Sequence, residues 1–323
     1  MNRSDILPRH NVLVLASACV VWLVACAQAD EHNGLSQETI IRLRDGDAAI
    51  SIPREGLWSI GVGWDAGWPQ QWLHAKPTKA DSLGSWTRLS GRIATPHGIW
   101  ELRDQFRTRD EGIVQYKRRW HYQGDRPSGP IVLSIRFQVD RGLDAPPLRP
   151  FLPGINYYGN PSGTRIDANR VPTWSGKPGG EGIYEEHRYP MPFACVEQDG
   201  QFVAALHSLP SILPYGARDD LWWSLGLIEN KKGTELTLLS GPVATNGKRG
   251  MVKARQTKFL PYKNAYLTNV PPDTVIEKHF HLQLSTSEVK GHGFHYPLWT
   301  SIDLFDPTAD RSMPRPIDVI DAK

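Results

Sequence analysis

The feature that most constrains this fold is a succession of short segments in which apolar and polar side chains alternate. The clearest pair is Ile99–Thr108, which turns through Asp110-Glu-Gly112 into Ile113–Tyr122. Alternation with a period of two is typical of half-buried strands, and a short Gly-containing link between two of them predicts a β-hairpin. Extended helical periodicity is scarce, so the pattern predicts an all-β chain, an antiparallel sandwich or barrel.

Similar strand-like segments occur on both sides of this hairpin. They are Thr39–Leu43, Ala48–Ile52, Ile131–Val139, Cys195–Glu197, Phe202–His207, Leu221–Ile228, Glu235–Leu239, Lys253–Phe259 and Val275–Leu284. Asp45-Gly46-Asp47 and Asp199-Gly200 offer turn residues for two more hairpins. We find no internal repeat among the segments.

The N-terminus, residues 1–29, has the organisation of a bacterial signal peptide. Basic residues precede the apolar run Val12–Ala25, which is too short to span a membrane comfortably. Ala27-Gln-Ala29 offers an ordinary cleavage site, whereas Leu23-Val-Ala-Cys26 resembles a lipobox in which Cys26 would be lipidated and anchor the protein to a membrane. Both alternatives predict export, to the periplasm, to the outer membrane as a lipoprotein, or to the medium.

Cysteine content and charge limit how the mature chain is stabilised and what it binds. Of the 3 cysteines, only Cys195 lies beyond the signal region, so an internal disulfide is excluded and a large core must provide stability. We expect Cys195 to be a small buried hydrophobe. The net charge of +3 and the absence of a basic run longer than Lys117-Arg118-Arg119 argue against a nucleic acid partner.

The segment from Phe151 to Cys195 interrupts the strand pattern. It is rich in Pro and Gly, which argues against a strand, and a loop of this length within a domain is usually functional or disordered. Its several aromatic residues argue against disorder. We therefore expect an ordered surface loop that shapes a binding face.

Several stretches together resemble one known architecture, the galactose-mutarotase-like β-supersandwich. They are Gly98–Phe106, Val114–Trp120, Phe151–Asn160, Phe202–His207 and Asp220–Gly226. The resemblance covers residues 35–305 and implies a large antiparallel β-supersandwich with a long central loop. Such sandwiches precede (α/α) toroid domains in bacterial glycoside hydrolases and polysaccharide lyases.

The C-terminus is similar to the junction between sandwich and toroid in those enzymes. A turn-rich linker leads to Pro316, which suits the first position of a helix, and the chain stops at Lys323. We expect a signal peptide at 1–29, a sandwich at 30–305, and at 306–323 a linker with a short helical stub that opens a further helical domain. A tail that docks on the sandwich is the alternative. Gly291–Trp299 resembles a loop at the domain border.

Sugar sites combine flat aromatic rings with hydrogen-bonding side chains. On that basis, seven residues of the central loop and the border loop are candidates for glycan binding. They are Asn156, Tyr157, Asn160, Trp174, His187, Arg188 and Trp299. The alternative is that the asparagines make turn hydrogen bonds and the aromatic rings anchor the loop.

The catalytic candidates are Glu185, Glu186, His292 and His295. Adjacent residues of an extended segment face opposite ways, so Glu185 and Glu186 cannot easily flank one glycosidic bond. A solvated run of charges is the preferred interpretation of that pair. His279-Phe-His281 could place two imidazoles on one face, but no third ligand is evident, so we predict neither a metal nor a cofactor.

Tryptophans are concentrated between residues 58 and 86, and two more are adjacent at 222 and 223. The first group is Trp58, Trp64, Trp68, Trp72 and Trp86. We expect most of that group in the core or at an interdomain contact rather than in a sugar-stacking platform. Alternation directs Trp222 and Trp223 to opposite faces.

These observations predict an exported carbohydrate-associated domain. It would be the N-terminal, non-catalytic part of a glycan-degrading enzyme, or a truncated relative, which binds a polysaccharide or oligosaccharide and contacts a toroid domain in cis. One alternative is a complete carbohydrate-active enzyme, an aldose epimerase or a glycoside hydrolase or lyase. A second is an envelope lipoprotein with a scaffolding role.

Overall fold

The computed structural model describes residues 39–43, 48–63, 69, 71–140, 148–154, 156–157, 181–198, 200–215, 222–230, 233–240, 267, 270–287 and 292–305. All of them belong to one structural unit, residues 36–323. Their regular structure is almost entirely antiparallel β, as the alternation predicted. Among these residues, no helix has the length and apolar character needed to cross a lipid bilayer.

Two antiparallel sheets are formed by the described residues. The first sheet contains, in spatial order, β1 (Thr39–Arg42), β2 (Ala49–Ser51), β9 (Ile131–Asp140), β16 (Gly233–Ser240), β15 (Trp223–Asn230) and β12 (Glu181–Glu185). To the same sheet belong β3 (Trp58–Val62), which pairs with β9, and β4 (Gln71–Ala75), which pairs with β3.

The second sheet is longer in the described part of the chain. Its spatial order is β11 (Asn156–Tyr157), β10 (Arg149–Leu152), β13 (Phe193–Gln198), β14 (Phe202–His207), β17 (Val275–Thr286), β8 (Ile113–Gln123), β7 (Gly98–Asp110), β6 (Trp86–Thr95) and β5 (Lys79–Leu83). The three predicted hairpins are confirmed as the pairs β1–β2, β7–β8 and β13–β14. The predicted strand Lys253–Phe259 lies outside the described residues.

Aromatic rings fill the space between the two sheets. The ring of Tyr116 in β8 is 4.8 Å from that of Phe280 in β17 and 5.4 Å from that of Phe137 in the first sheet. Trp120 and Trp223 meet across the same interface at 5.5 Å. Fully burying a large apolar side chain stabilises a fold by about 1.5–3 kcal/mol, so this layer is a major source of stability. The expected all-β sandwich is confirmed.

An ion pair is enclosed in this aromatic layer. Asp104 of β7 and Arg118 of β8 are directly opposite each other, and both side chains have 0% exposure. The guanidinium donates to both carboxylate oxygens, at 2.8 and 2.7 Å, and to the carbonyl oxygen of Ser134 in the first sheet at 3.0 Å. The indole nitrogen of Trp58, also in the first sheet, donates to Asp104 at 2.9 Å. The pair therefore joins the sheets by directed hydrogen bonds as well as by packing.

A helix, α1 (His295–Phe305), covers one end of the outer face of the second sheet. There the apolar side chains Phe193, Cys195, Val203 and Ala205 pack under Phe294, Tyr296 and Leu298. The expectation that Cys195 is a buried hydrophobe is confirmed, and burial raises the pKa of its thiol. The sequence prediction of a border loop at Gly291–Trp299 is wrong from His295 onward. Pro297 lies in the first turn of α1, where a missing N–H breaks no helical hydrogen bond.

A buried histidine attaches α1 to the sheet. The Nε2–H of His207 in β14 donates to Oε1 of Gln283 at 2.9 Å, and its Nδ1 accepts from the hydroxyl of Ser301 in α1 at 2.8 Å. Both ring nitrogens are thus satisfied by the neutral form. Burial lowers the pKa of His207 from 6.5 to about 3.

The central segment contains more regular structure than the sequence predicted. Strands β11 and β12 lie within Phe151–Cys195, and β10 and β13 overlap its two ends. The expectation of a continuous loop is therefore wrong at these strands. Pairing with neighbouring strands compensates for the Pro and Gly residues, since β10 pairs with β13 and β12 with β15. Residues 158–180 lie outside the described part of the chain, as do the linker and stub at 306–323.

Asp104→Asn is expected to lower the free energy of unfolding by about 3–5 kcal/mol, because Arg118 would keep a buried charge without a carboxylate partner. Urea unfolding of the two proteins measures the difference. Glu101→Gln, on the same strand, is the matched control. Glu101 pairs with the exposed Arg92 at 2.6 Å, so its loss should cost less than about 1 kcal/mol. Equal losses in the two variants would contradict the role assigned to the buried pair.

The pKa of His207 predicts a loss of stability in acid. Below pH 6.5 the unfolded chain binds a proton on this histidine, and the folded chain does not until pH falls to about 3. The free energy of unfolding should therefore fall by about 1.4 kcal/mol per pH unit below 6.5, or about 2 kcal/mol at pH 5. Urea unfolding of wild type and His207→Gln from pH 7 to 5 isolates this contribution. The variant should show the shallower slope, and identical slopes would mean that folding does not change the pKa of His207.

Candidate functional site

The outer face of the second sheet is mostly polar where α1 does not cover it, although Ile99 and Val275 are exposed there. Inward side chains such as Leu102 and Trp120 alternate there with outward charged or hydrogen-bonding groups. The outward residues of β6, β7, β8 and β17 include Trp86, Arg88, Arg92, Glu101, Arg103, Gln105, Arg107, Gln115, Lys117, Arg119, His121, Glu277 and His279. We call this surface the polar face.

Strand register arranges the polar face in rows that run across the strands. In one row, Arg88 lies opposite Gln105, Gln105 opposite Lys117, and Lys117 opposite His279. With neighbouring strands about 4.8 Å apart, these four positions extend over about 14 Å. The row presents hydrogen-bond donors and acceptors to solvent on a flat support.

An aromatic ring borders this row on β6. Trp86 is half-buried, and the guanidinium carbon of Arg107 lies 4.6 Å from its ring centre. Arg107 Nε donates to Oε1 of Gln115 on β8 at 3.0 Å, which holds the guanidinium in place. A flat ring, a fixed guanidinium and an amide therefore occupy adjacent positions. Such a combination suits a ligand that has both apolar faces and hydroxyl groups.

The strand β17 adds an imidazole and a carboxylate to the polar face. Glu277 and His279 are two residues apart and exposed, and Glu277 accepts from Lys117 Nζ at 3.0 Å. Burial, assisted by the charge of Lys117, lowers the pKa of His279 below 6.5. This shift favours the neutral ring, which offers one donor and one acceptor.

Glu186, a catalytic candidate from the sequence, is buried and surrounded by hydrogen-bond donors. It begins a 3₁₀ helix (Glu186–Arg188) and is 1% exposed. Its carboxylate accepts from Lys278 Nζ at 2.8 and 2.9 Å, from the Ser208 hydroxyl at 2.6 Å and from the Ser211 amide at 3.0 Å. Burial raises the pKa of Glu186, and Lys278 opposes that shift. The interpretation of a solvated charge run is wrong at this position.

Glu185 is also buried, but its partners differ from those of Glu186, as expected for adjacent residues that point in opposite directions. It accepts from Arg188 Nε at 3.0 Å, and its Oε2 lies 3.8 Å from His187 Nε2. The exposed ring of His187 lies 4.9 Å from that of Trp222. Three site residues predicted from the sequence, Glu185, His187 and Arg188, thus lie together at the edge of the first sheet. The half-buried Trp222 lies beside them. Trp223 points into the core, so the prediction that the two tryptophans face opposite ways is confirmed.

The border histidines lie together at the start of α1. The rings of His292 and His295 are 5.3 Å apart, and His295 is buried. Trp299 is half-buried within α1. The helix therefore presents these residues over the apolar end of the sheet rather than over the polar face.

Other predicted site residues belong to β11 or lie beyond the described ranges. Asn156 and Tyr157 form β11, which pairs with β10 at the edge of the second sheet. Asn160, Trp174 and Cys26 lie outside the described residues, as do Trp64 and Trp68. Of the remaining tryptophans of that group, Trp58 is buried in the core as expected, and Trp72 and Trp86 are half-buried.

The predicted imidazole pair on β17 does not form part of a metal centre within the described residues. No cluster there joins three or more His, Cys, Asp or Glu side chains in a way that could hold a metal ion. His279 faces solvent, whereas His281 is buried against Phe305 of α1, with ring centres 5.9 Å apart. Burial lowers the pKa of His281 to about 4.

The polar face as a unit was not predicted from the sequence. Alternation along Ile99–Thr108 and Ile113–Tyr122 does separate inward from outward residues, so a signal was present in each strand. The alternation pattern does not give the order of the strands in the sheet. The pairing of β8 with β17 joins residues 113–123 to residues 275–286 and creates most of the site.

Comparison with known proteins gives structural neighbours only. No family model matches the chain, and no curated protein matches it. Similar solved structures include the Slr1438 protein of Synechocystis sp. PCC 6803, with 14% identity, a TM-score of 0.36, and coverage of 68% of this chain and 67% of that chain. A candidate aldose 1-epimerase of Escherichia coli K12 has 8% identity, a TM-score of 0.37 and coverage of 75% and 85%.

A galactose mutarotase-like protein of Lactobacillus casei ATCC 334 has 11% identity, a TM-score of 0.35, and coverage of 76% of this chain and 99% of that chain. Mutarotase-like proteins, to which the sequence shows a resemblance, therefore recur among the solved structures similar to this chain. With identities and TM-scores this low, the likeness assigns no activity to any residue. The sandwich itself rests on the strand pairing described above.

Proposed function

We propose that this protein is an exported carbohydrate-binding protein that holds a glycan on the polar face. The observation that carries the proposal is the group formed by Trp86, Arg107 and Gln115, beside the row that ends at His279. A sugar ring can place its C–H groups against the exposed part of the indole, beside the guanidinium that lies over the ring, and its hydroxyls on the amide, guanidinium and imidazole. The group lies on rigid strands, which position ligand-binding side chains better than loops do.

Binding without catalysis is the role that the carboxylates favour. Glu186 is held by Lys278 and two serines, and Glu185 by Arg188. On the polar face, Glu277 is paired with Lys117 and Glu101 with Arg92. General acid–base catalysis of glycoside cleavage needs two carboxyl groups that face one bond. The protein would then serve a glycan-degrading system as its binding part, in line with the non-catalytic sandwich that the sequence resemblance implies.

Trp86→Ala is expected to weaken glycan binding about tenfold, because stacking on an aromatic ring is worth about 0.5–1.5 kcal/mol beyond its buried area. Calorimetric titration against a panel of oligosaccharides identifies the best ligand and then compares the variants. Trp72→Ala is the matched control, since Trp72 also lies beneath an arginine, with Arg136 at 5.3 Å, but in the first sheet.

Equal weakening by both substitutions would place the ligand away from the polar face. No binding of wild type to any glycan of the panel would contradict carbohydrate recognition itself. Near-ultraviolet circular dichroism of each variant shows that the fold is retained.

Export is the second part of the proposal, and residues 1–29 support it. The mature N-terminus, determined by mass spectrometry of the protein from a bacterial host, distinguishes the two cleavage sites. A start at lipidated Cys26 indicates a lipoprotein, and a start at Asp30 indicates ordinary secretion. Cys26→Ala should abolish lipid labelling only in the first case. A mature protein that retains Met1 and stays in the cytoplasm would contradict export.

A further inference from the structure

We propose that the polar face contains an anion site, formed by Arg88, Arg103, Lys117 and Arg119, which binds an acidic group of the glycan. This inference rests on the proposed function and narrows it to glycans that carry carboxylate or sulfate groups. The four side chains come from three adjacent strands and surround Gln105. We call them the basic cluster.

Strand register brings like charges together in the basic cluster. Arg103 of β7 lies directly opposite Arg119 of β8. Lys117 lies opposite Gln105, two residues further along the same pair of strands and on the same face. Like charges in directly opposed positions of a sheet are destabilising. A surface that keeps two guanidiniums in such positions gains stability when an anion lies between them. The net charge of only +3 gives no indication of this feature, because the four basic residues are distributed over three strands.

Neighbouring carboxylates leave much of this charge uncompensated. Glu277 is 3.0 Å from Lys117 but 4.0 Å from Arg119. Among the described residues, Arg88 and Arg103 make no ion pair within 4.0 Å, although Asp81 of β5, which is 3.9 Å from Lys79, lies directly opposite Arg88. By contrast Arg92, further along the same face, is paired with Glu101 at 2.6 Å.

The chemistry of the guanidinium group selects the ligand. The Nε atoms of Arg88 and Arg119 are screened from water, and Arg119 Nε lies 4.0 Å from Oε1 of Glu277, so an external anion would meet the terminal guanidinium nitrogens. Guanidinium groups match the two oxygens of a carboxylate or sulfate, so the excess charge selects an oxyanion.

The acidic group would lie within reach of the stacking residue proposed above. Arg88 and Trp86 are two residues apart on β6 and face the same way, at a separation of about 7 Å. A sugar that stacks on Trp86 can therefore direct an acidic substituent of the same or the next residue toward the basic cluster. An acidic polysaccharide, with one such group per repeat, satisfies both subsites along the strands.

The test compares glycans that differ only in charge. Polygalacturonate and its carboxyl-reduced form test the carboxylate, and chondroitin sulfate and desulfated chondroitin test the sulfate. The wild type should bind an acidic form at least about tenfold more tightly than its neutral or less charged counterpart. Its affinity should also fall as salt is raised, because exposed charges are screened.

Arg103→Gln/Arg119→Gln should remove this preference while binding to the neutral form persists. Arg54→Gln/Lys76→Gln removes the same charge from exposed positions elsewhere and should keep the preference. Equal affinity of wild type for charged and neutral forms would overturn the anion site and leave carbohydrate recognition intact. Failure to bind any glycan would overturn the proposed function, and with it this inference. Equally tight binding of single-stranded DNA would mean that the cluster attracts polyanions in general, which also overturns it.

Discussion

The ion pair between Asp104 and Arg118 is the constraint on which the sandwich depends. Both groups are fully buried. Removing two charges from water costs free energy, and the attraction within the pair offsets this cost only if both groups also make their other hydrogen bonds. The acceptors and donors come from both sheets, through Ser134 and Trp58. Stacking of aromatic rings tolerates small displacements, but these bonds do not. The pair therefore selects one relative position of the two sheets among the many that would bury the same apolar area.

Strand alternation then distributes the remaining charges. On β8, Arg118 points inward, and its neighbours Lys117 and Arg119 point to the polar face. On β17, Lys278 points inward to Glu186, and Glu277 and His279 point outward. Each strand thus contributes one buried charge that orders the fold and outward groups that are available to a ligand. The same strands therefore build the core with one set of side chains and the proposed binding surface with the alternate set.

Local patterns predicted the local part of this structure. The hairpin Ile99–Tyr122 was predicted from alternation and an Asp-Glu-Gly turn, both of which act within a few residues. The burial of Glu186 could not be predicted, because Lys278 is 92 residues away in sequence. Helix α1 was missed because it is short and contains Pro297, although its first turn tolerates that residue. For the polar face, each strand showed its outward residues, but the order of strands that joins them is a property of the whole sheet.

The two-sided character of β17 also limits how this chain can vary. A shift of one residue in this strand would move Lys278 to the surface and bring Glu277 or His279 into the core. Insertions or deletions of an odd number of residues within it would therefore reverse both faces at once. β17 pairs with β14 beside α1 and with β8 beneath the polar face, so the error would reach both ends of the sheet. Related chains can be expected to differ in the lengths of their loops while the length of this strand stays fixed.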